Sequence, residues 1–446
     1  MTSDTVRVEG AAKILFQAGE DLGRIRAQLS FYAATSSQQV RTTRMSPSAP
    51  ARPSRGTILL LGALTAFGAV SIDLYLPSLP AIGVSLRAEP AAVQQTMAAF
   101  FIGMALGQLL YGPLSDRYGR RPALLVGATI FVLASLFCAT AASIEMLILG
   151  RFVQALGCCA GQVVTRAIVR DRYATQDSAR IFSLLTLVLG VAPLLAPTAG
   201  AWLAAAISWR AIFAVLALFG LIIGSIVALK LTESRSPATA ATARGENIFG
   251  GYLDLLQHRR LLGYILAGSL NGAVLFSYVA SAPDLLIRSY GFTPHQFGLI
   301  FATIAVGVIG SSQVNRMLLD RYVSDHILAI ASLTGTAFGV ALLSAAVTGI
   351  GGQWSVLALL FAVLTSYGFM AANTLAGALA VDPLRAGSTS ALVGASSFGC
   401  GALAALLIGL FHDGSAVPMA AIMAVALTGS AAALFGLALR PQAVRA

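Results

Sequence analysis

The sequence predicts an all-α polytopic membrane protein with twelve transmembrane helices in two six-helix bundles. Three observations carry that reading. Hydrophobic residues make up 57% of the chain and charged residues 11%, with a mean hydropathy of +0.81. A soluble protein holds about 25% charged residues, so this chain has too few polar side chains to coat a water-facing surface. Twelve apolar runs follow Thr57, each near the roughly 20 residues that cross a bilayer. A charged, glycine-bearing hinge between the second and third runs recurs in the second half, the mark of a duplicated bundle. No alternating strand pattern repeats, which argues against a β-barrel.

The elements follow in order. Residues 1–55 are polar and mixed in charge, with Pro, Ser and Arg crowded into 46–55. They read as a disordered cytoplasmic tail without the basic head and apolar stretch of a signal peptide; a start at Met45 is an alternative. The spans are expected at 57–78, 92–111, 122–141, 146–166, 181–203, 211–230, 261–282, 297–316, 327–347, 355–379, 388–410 and 417–438. The polar stretch 231–258 divides them six and six. It is read as a cytoplasmic linker between bundles at 56–230 and 259–440, with 441–446 as a short tail. The 44 glycines suit close helix packing in lipid.

The formal charge of +11 does not point to nucleic acid. Arg and Lys gather in alternate loops, from Arg117, Arg120 and Arg121 to Arg316, Arg321 and Arg385, whereas the opposite loops hold Arg87, Arg210 and Arg288. By the positive-inside bias both termini are cytoplasmic, and Trp209 and Trp354 fall at outer span ends. Cys138, Cys158, Cys159 and Cys400 lie in apolar runs without ligand spacing, and the four histidines fall in or beside loops. No metal or cofactor is expected. Without an intramembrane histidine, carboxylate pair or nucleophile–base set, an enzyme is not expected either.

The hinge reads Gly112-Pro113-Leu114-Ser115-Asp116-Arg117-Tyr118-Gly119-Arg120-Arg121, and Asp320-Arg321-Tyr322 stands at the equivalent place of the second half. It resembles the G-x-L-x-D-R-x-G-R-R signature of the major facilitator superfamily. Asp116 is placed to cap or pair with a neighbouring helix end. The motif reads as a cytoplasmic gate whose second copy has decayed; the alternative is a basic loop that only sets topology.

Three further segments narrow the resemblance: Asp73-Leu74-Tyr75-Leu76-Pro77-Ser78-Leu79-Pro80, Arg151-Phe152-Val153-Gln154-Ala155-Leu156-Gly157, and Ala192 to Gly200 with Pro193 and Pro197. Over about residues 57–440 the chain is similar to the twelve-helix drug:proton antiporters, especially the bicyclomycin/chloramphenicol-resistance (Bcr/CflA) subfamily. The resemblance implies the major facilitator fold and efflux of lipophilic small molecules, driven by protons, across a bacterial inner membrane. Export of a physiological metabolite, such as an amino acid or sugar, is the alternative. Drug, protons and bilayer are then the partners, and the carrier is expected to be a monomer. In the fifth span Ala196-Pro197 and Gly200-Ala201 stand where the antiporter pattern has Gly-Pro and Gly-Gly. Pro193 and Pro197 each remove a backbone donor, so a bent helix is expected.

Intramembrane charges are costly and mark function. At 1.5 Å per residue, Asp73 lies about 24 Å from the start of its span, roughly 6 Å from the outer edge of a core about 30 Å thick. Arg151 comes out about 7–8 Å deep from the same side. A direct or water-bridged pair is therefore expected, with Asp73 as the titrating partner because arginine stays charged. The related antiporters use an acidic residue at this place for proton coupling. Asp73 could instead cap a broken helix, and Arg151 could instead bond backbone carbonyls. Tyr75, Gln154, Asn271, Tyr278 and Asn373 are candidate substrate contacts in a pocket with few fixed charges.

Overall fold

The computed structural model describes residues 55–439 apart from 174, 238 and 242–247. The tail at 1–54, the alternative start and the end at 441–446 lie outside the described residues. Among the described residues twelve helices are long and apolar enough to cross a membrane, here numbered spans 1 to 12: Gly56–Leu86, Pro90–Tyr118, Arg120–Ala139, Ile144–Arg172, Leu187–Ala206, Trp209–Lys230, Arg259–Ser289, Pro294–Leu318, Ser324–Thr348, Gly352–Val381, Ala386–Leu410 and Val417–Ala438. Ser143 caps span 4 by accepting from the Met146 N–H at 3.4 Å. Thr293 and Gln296 form a reciprocal capping box at the start of span 8, with bonds of 2.9 and 3.2 Å.

Pairing between spans shows the duplication directly. In the first half span 2 packs on 4, 3 on 4, 3 on 6, 1 on 5 and 1 on 4; in the second, 8 packs on 10, 9 on 10, 9 on 12, 7 on 11 and 7 on 10. Each pairing recurs with every span number raised by six. The halves meet where span 2 packs on 11 and span 5 on 8. Exchanging the halves turns one of these contacts into the other, as a two-fold relation requires. Spans 2 and 11 touch at three levels: Gln108 against Gly394, Phe101 near Phe398, and Gln94 against Gly409. The described residues belong to one compact unit.

Span 1 departs from the expected 57–78. Its helix runs Arg55–Asp73, gives way to a 3-10 turn at Leu76–Ser78, and resumes as Leu79–Leu86. Pro77 stands four residues after Asp73 and Pro80 four after Leu76, so two carbonyls lose their helical donors in succession. Thirteen residues follow Asp73 in the span.

The fifth helix runs unbroken from Thr175 to Ala206 through both prolines. It lies against the break in span 1, where Gly200 is so close to the Leu74 carbonyl oxygen that a Cβ would collide with it. Trp209, the first residue of span 6, is 5% exposed and packs under the Arg210 guanidinium. Trp354 remains exposed.

Gly200→Ala is expected to cost about 1–3 kcal/mol through forced displacement of the span 1 backbone. Gly310→Ala, where a Cβ meets nothing within 4 Å, is expected to be neutral or stabilising by about 0.5–1 kcal/mol. Thermal unfolding of the purified protein distinguishes the two.

Candidate functional site

The break in span 1 builds the first part of the site. In a continuous helix the Tyr75 N–H would donate to Ser71; here it turns to the Ile72 carbonyl at 3.2 Å. The freed Ser71 carbonyl accepts from Arg151 Nη1 at 3.2 Å, and the same nitrogen donates to Gln154 Oε1 at 2.6 Å. The guanidinium is fully buried, 4.1 Å from the Phe100 ring centre and 4.4 Å from that of Tyr75. Two desolvated cation–π contacts, each worth up to about 2 kcal/mol, take the place of a carboxylate partner.

The expected Asp73–Arg151 ion pair is therefore absent among the described residues. The two lie at related levels, as the Ser71 contact requires, but the guanidinium is held inside the first half by aromatic faces and a backbone carbonyl. Asp73 is 5% exposed and carries no ion pair. The 3-10 turn that follows it, Leu76–Ser78, packs against span 7 of the opposite half.

The other expected contacts divide by location. The Tyr75 hydroxyl bonds Thr96 Oγ1 at 2.8 Å, and Gln154 Nε2 donates to Ser135 Oγ at 2.7 Å. Asn373 Nδ2 donates to Asn315 Oδ1 at 2.7 Å and to the Phe369 carbonyl, while its Oδ1 accepts from Ser324 at 3.0 Å. These three side chains stitch spans together within one half. Tyr278 and Asn271 differ: the hydroxyl and both amide atoms are buried without hydrogen-bond partners. Seven residues apart, they share one stripe of span 7, and Tyr278 stacks on Phe301 of span 8 with centroids 5.3 Å apart.

The arginine-rich hinge forms a second site. Span 2 continues through Gly112 and Pro113 to Tyr118, so the turn falls at Gly119 alone, whose φ of +112° favours glycine. Arg120 is 4% exposed; it pairs with Asp116, donates Nε to Asp171 Oδ2 at 2.9 Å and Nη1 to Ser115 Oγ at 2.8 Å. Arg121 Nη2 reaches the Ala228 carbonyl at 2.6 Å, and Arg235 bonds the carbonyls of Asp116 and Arg117. The motif thus ties the ends of spans 2, 3, 4 and 6 within the first half. Asp320 and Arg321 are exposed and make no ion pair among the described residues. Asp325 takes over there, accepting from the Tyr264 hydroxyl at 2.8 Å and pairing with Arg260 at 3.4 Å.

Sequence reasoning missed Glu233. Its carboxylate accepts the N–H groups of Arg120 at 2.9 Å and Arg121 at 3.1 Å, satisfying two orphan donors at the start of span 3. Burial pushes this carboxyl up, but backbone donors from Arg235, Arg120, Arg121 and Ser234 outweigh it and hold it below the usual carboxylate range. Also missed was Tyr252 of the short linker helix Ile248–Leu256, whose hydroxyl donates to the Leu109 carbonyl at 3.3 Å. Pro113, four residues on, leaves that carbonyl without its helical donor. All four cysteines are free thiols. No three His, Cys, Asp or Glu side chains gather as a metal site among the described residues.

Two like halves of six spans, with a lone buried carboxylate at their seam and a charged latch at one end, define a polytopic membrane transporter. The Major Facilitator Superfamily profile matches residues 59–407, and the chain belongs to that family. It is 35% identical over 387 residues to the uncharacterized MFS-type transporter YdgK of Bacillus subtilis, covering 85% of this chain and 94% of that one. It is 30% identical over 383 residues to the bicyclomycin resistance protein homolog of Haemophilus influenzae, covering 86% and 96%. Among solved structures, a partially occluded inward-open form of the xylose transporter XylE from E. coli superposes with a TM-score of 0.67 at 14% identity, covering 86% of this chain and 97% of that one. That likeness concerns the fold.

A carboxyl whose folded value is depressed adds stability above its unfolded value, and that stability is lost as pH falls through the folded one. Glu233→Gln is therefore expected to unfold at lower temperature than the parent near neutral pH. The gap should close as pH drops below about 4, the ordinary carboxylate range. A gap that persists unchanged in acid assigns the effect to packing.

Proposed function

We propose that the protein is a proton-driven exporter of lipophilic small molecules working by alternating access, with bicyclomycin- or chloramphenicol-type compounds as the substrate class. The arginine-rich end faces the cytoplasm, by the positive-inside bias, and the membrane is a bacterial inner membrane. One observation carries the reading: Asp73 is a buried carboxylate without a cation partner at a break in span 1, and the turn of that break packs on span 7 of the opposite half. The name of the Haemophilus influenzae relative supports the substrate class.

With no guanidinium to hold it charged, Asp73 is free to take and release a proton as its surroundings change between conformations. Arg151 keeps the break open by holding the Ser71 carbonyl, which makes it a positioning residue. Tyr278 and Asn271, the candidates with unpartnered polar atoms, are the side chains proposed to meet substrate. Tyr75, Gln154 and Asn373 shape the walls from behind. The hinge of Asp116, Arg117, Gly119, Arg120 and Arg121 acts as the cytoplasmic gate by keeping four span ends moving as one body. The carrier works as a monomer, with the bilayer, protons and drug as its partners.

A drug-susceptibility panel in an efflux-deficient host, run with and without a protonophore, tests the substrate class. Protection that vanishes with the protonophore is expected. Normal susceptibility with accumulation of one metabolite in a deletion strain would point to a physiological exporter instead. Asp73→Asn is expected to abolish proton-coupled efflux at unchanged membrane abundance; undiminished efflux in that variant rules out Asp73 as the coupling group.

A further inference from the structure

Spans 3 and 6 flank a groove on the lipid-facing side of the first half. Leu125, Thr129 and Leu133 line one wall, and Gly220, Gly224 and Ala228 line the other. Each set repeats every four residues, so each is one stripe of its helix, and each stripe runs about 12 Å. The groove holds about 250 Å³, far beyond the roughly 10–15 Å³ that one water needs. Its floor is closed. A Cβ at Gly220 would strike the Phe131 ring of span 3, and one at Gly224 would press on the Ala128 methyl. Leu133 and Leu221 on its rims are exposed, so the groove opens away from the protein and toward the bilayer.

At the arginine-rich end the groove stops at a fixed cation. Arg121, one turn before Leu125, donates Nη2 to the Ala228 carbonyl at 2.6 Å. The guanidinium is thus held across the mouth from span 3 to span 6. Its Nε is buried without a hydrogen-bond partner, and Arg121 makes no ion pair among the described residues. Lys230, the last residue of span 6, is exposed two positions beyond Ala228. The carboxylate that follows, Glu233, accepts the backbone N–H groups of Arg120, Arg121, Ser234 and Arg235. It is held by backbone donors and not by either cation.

Length and charge together say what fits. The groove begins about 6 Å from Arg121 and ends about 18 Å from it. That is close to one leaflet of a hydrocarbon core about 30 Å thick. A basic pocket between spans at such a level favours an anionic lipid headgroup.

We propose that this groove is a binding site for an anionic phospholipid. One acyl chain lies along spans 3 and 6, and the headgroup phosphate meets Arg121 and Lys230. No bond is made or broken; the chain fills the apolar trough and the phosphate answers a cation that the protein leaves unpaired. The same arginine gives its backbone N–H to the Glu233 cap, so the lipid braces the latch from its membrane side.

The test uses the purified full chain. In detergent, added phosphatidylglycerol is expected to raise the thermal unfolding temperature. Phosphatidylcholine with the same chains and inorganic phosphate at equal concentration are expected to leave it unchanged. In nanodiscs, phosphatidylglycerol with a photoreactive acyl chain should label residues 125–133 and 220–228, mapped by mass spectrometry. Arg121→Gln is expected to weaken the phosphatidylglycerol titration about fivefold, the contribution of one cation at a membrane surface. Thr129→Phe fills the trough without altering Arg121; it should abolish labelling of both stripes while keeping the parental unfolding temperature in plain detergent. Equal protection by phosphatidylcholine, or labelling spread evenly over the other lipid-facing spans, would overturn the site. Protection by inorganic phosphate alone would reduce it to an anion contact. Crosslinks between two chains through the groove, in place of lipid adducts, would assign it to a second copy, and either result also overturns the proposal.

Discussion

The hydrogen bond from Arg151 to the Ser71 carbonyl underlies the rest of the structure. Pro77 and Pro80 open span 1, and an opened helix in lipid leaves carbonyls that no water can satisfy. An unmet buried carbonyl costs about 1–3 kcal/mol, so the break needs a fixed donor from a neighbouring span. Arg151 is that donor, itself steadied by the rings of Phe100 and Tyr75 and by Gln154. Because its cation is engaged this way, Asp73 two residues beyond Ser71 is left without a counter-charge. The unpaired state of the carboxylate follows from the geometry of the break.

Much of this was legible in the sequence because lipid restricts the choices. Twelve apolar runs and a recurring Asp-Arg hinge are enough for twelve spans in two related halves. The spacing of Pro77 and Pro80 after Asp73 and Leu76 also contained the break, although a hydropathy reading ended the span at 78. The partner of Arg151 was not legible. Depth along a helix says which residues share a level, whereas the direction a side chain takes depends on packing around the axis. Phe100, Tyr75 and Ser71 are ordinary residues in an apolar run until span 4 is laid beside them.

Contacts between distant segments were hidden for the same reason. Glu233 lies 113 residues from Arg120, and no local pattern marks it as the cap of span 3. The arginines of the hinge were visible, but the acceptors that hold them come from the ends of spans 4 and 6. Gly112 shows the converse. It belongs to the recognisable motif yet sits inside a continuous helix, and the backbone demand falls on Gly119 with its positive φ. The second copy of the hinge is exposed because Asp325, a few residues on, holds Tyr264 and Arg260 instead.

Asp73 belongs to the first half, and Arg151 ties the break beside it to span 4 of that same half. The turn that follows it packs on span 7 of the other half. On the proposed reading the carboxylate therefore travels with one half while part of its surroundings belongs to the other. Any rocking that parts span 1 from span 7 then changes the polarity around the carboxylate by the same motion that changes which solution it meets. Tight coupling would then arise from which half owns each residue, without any further valve.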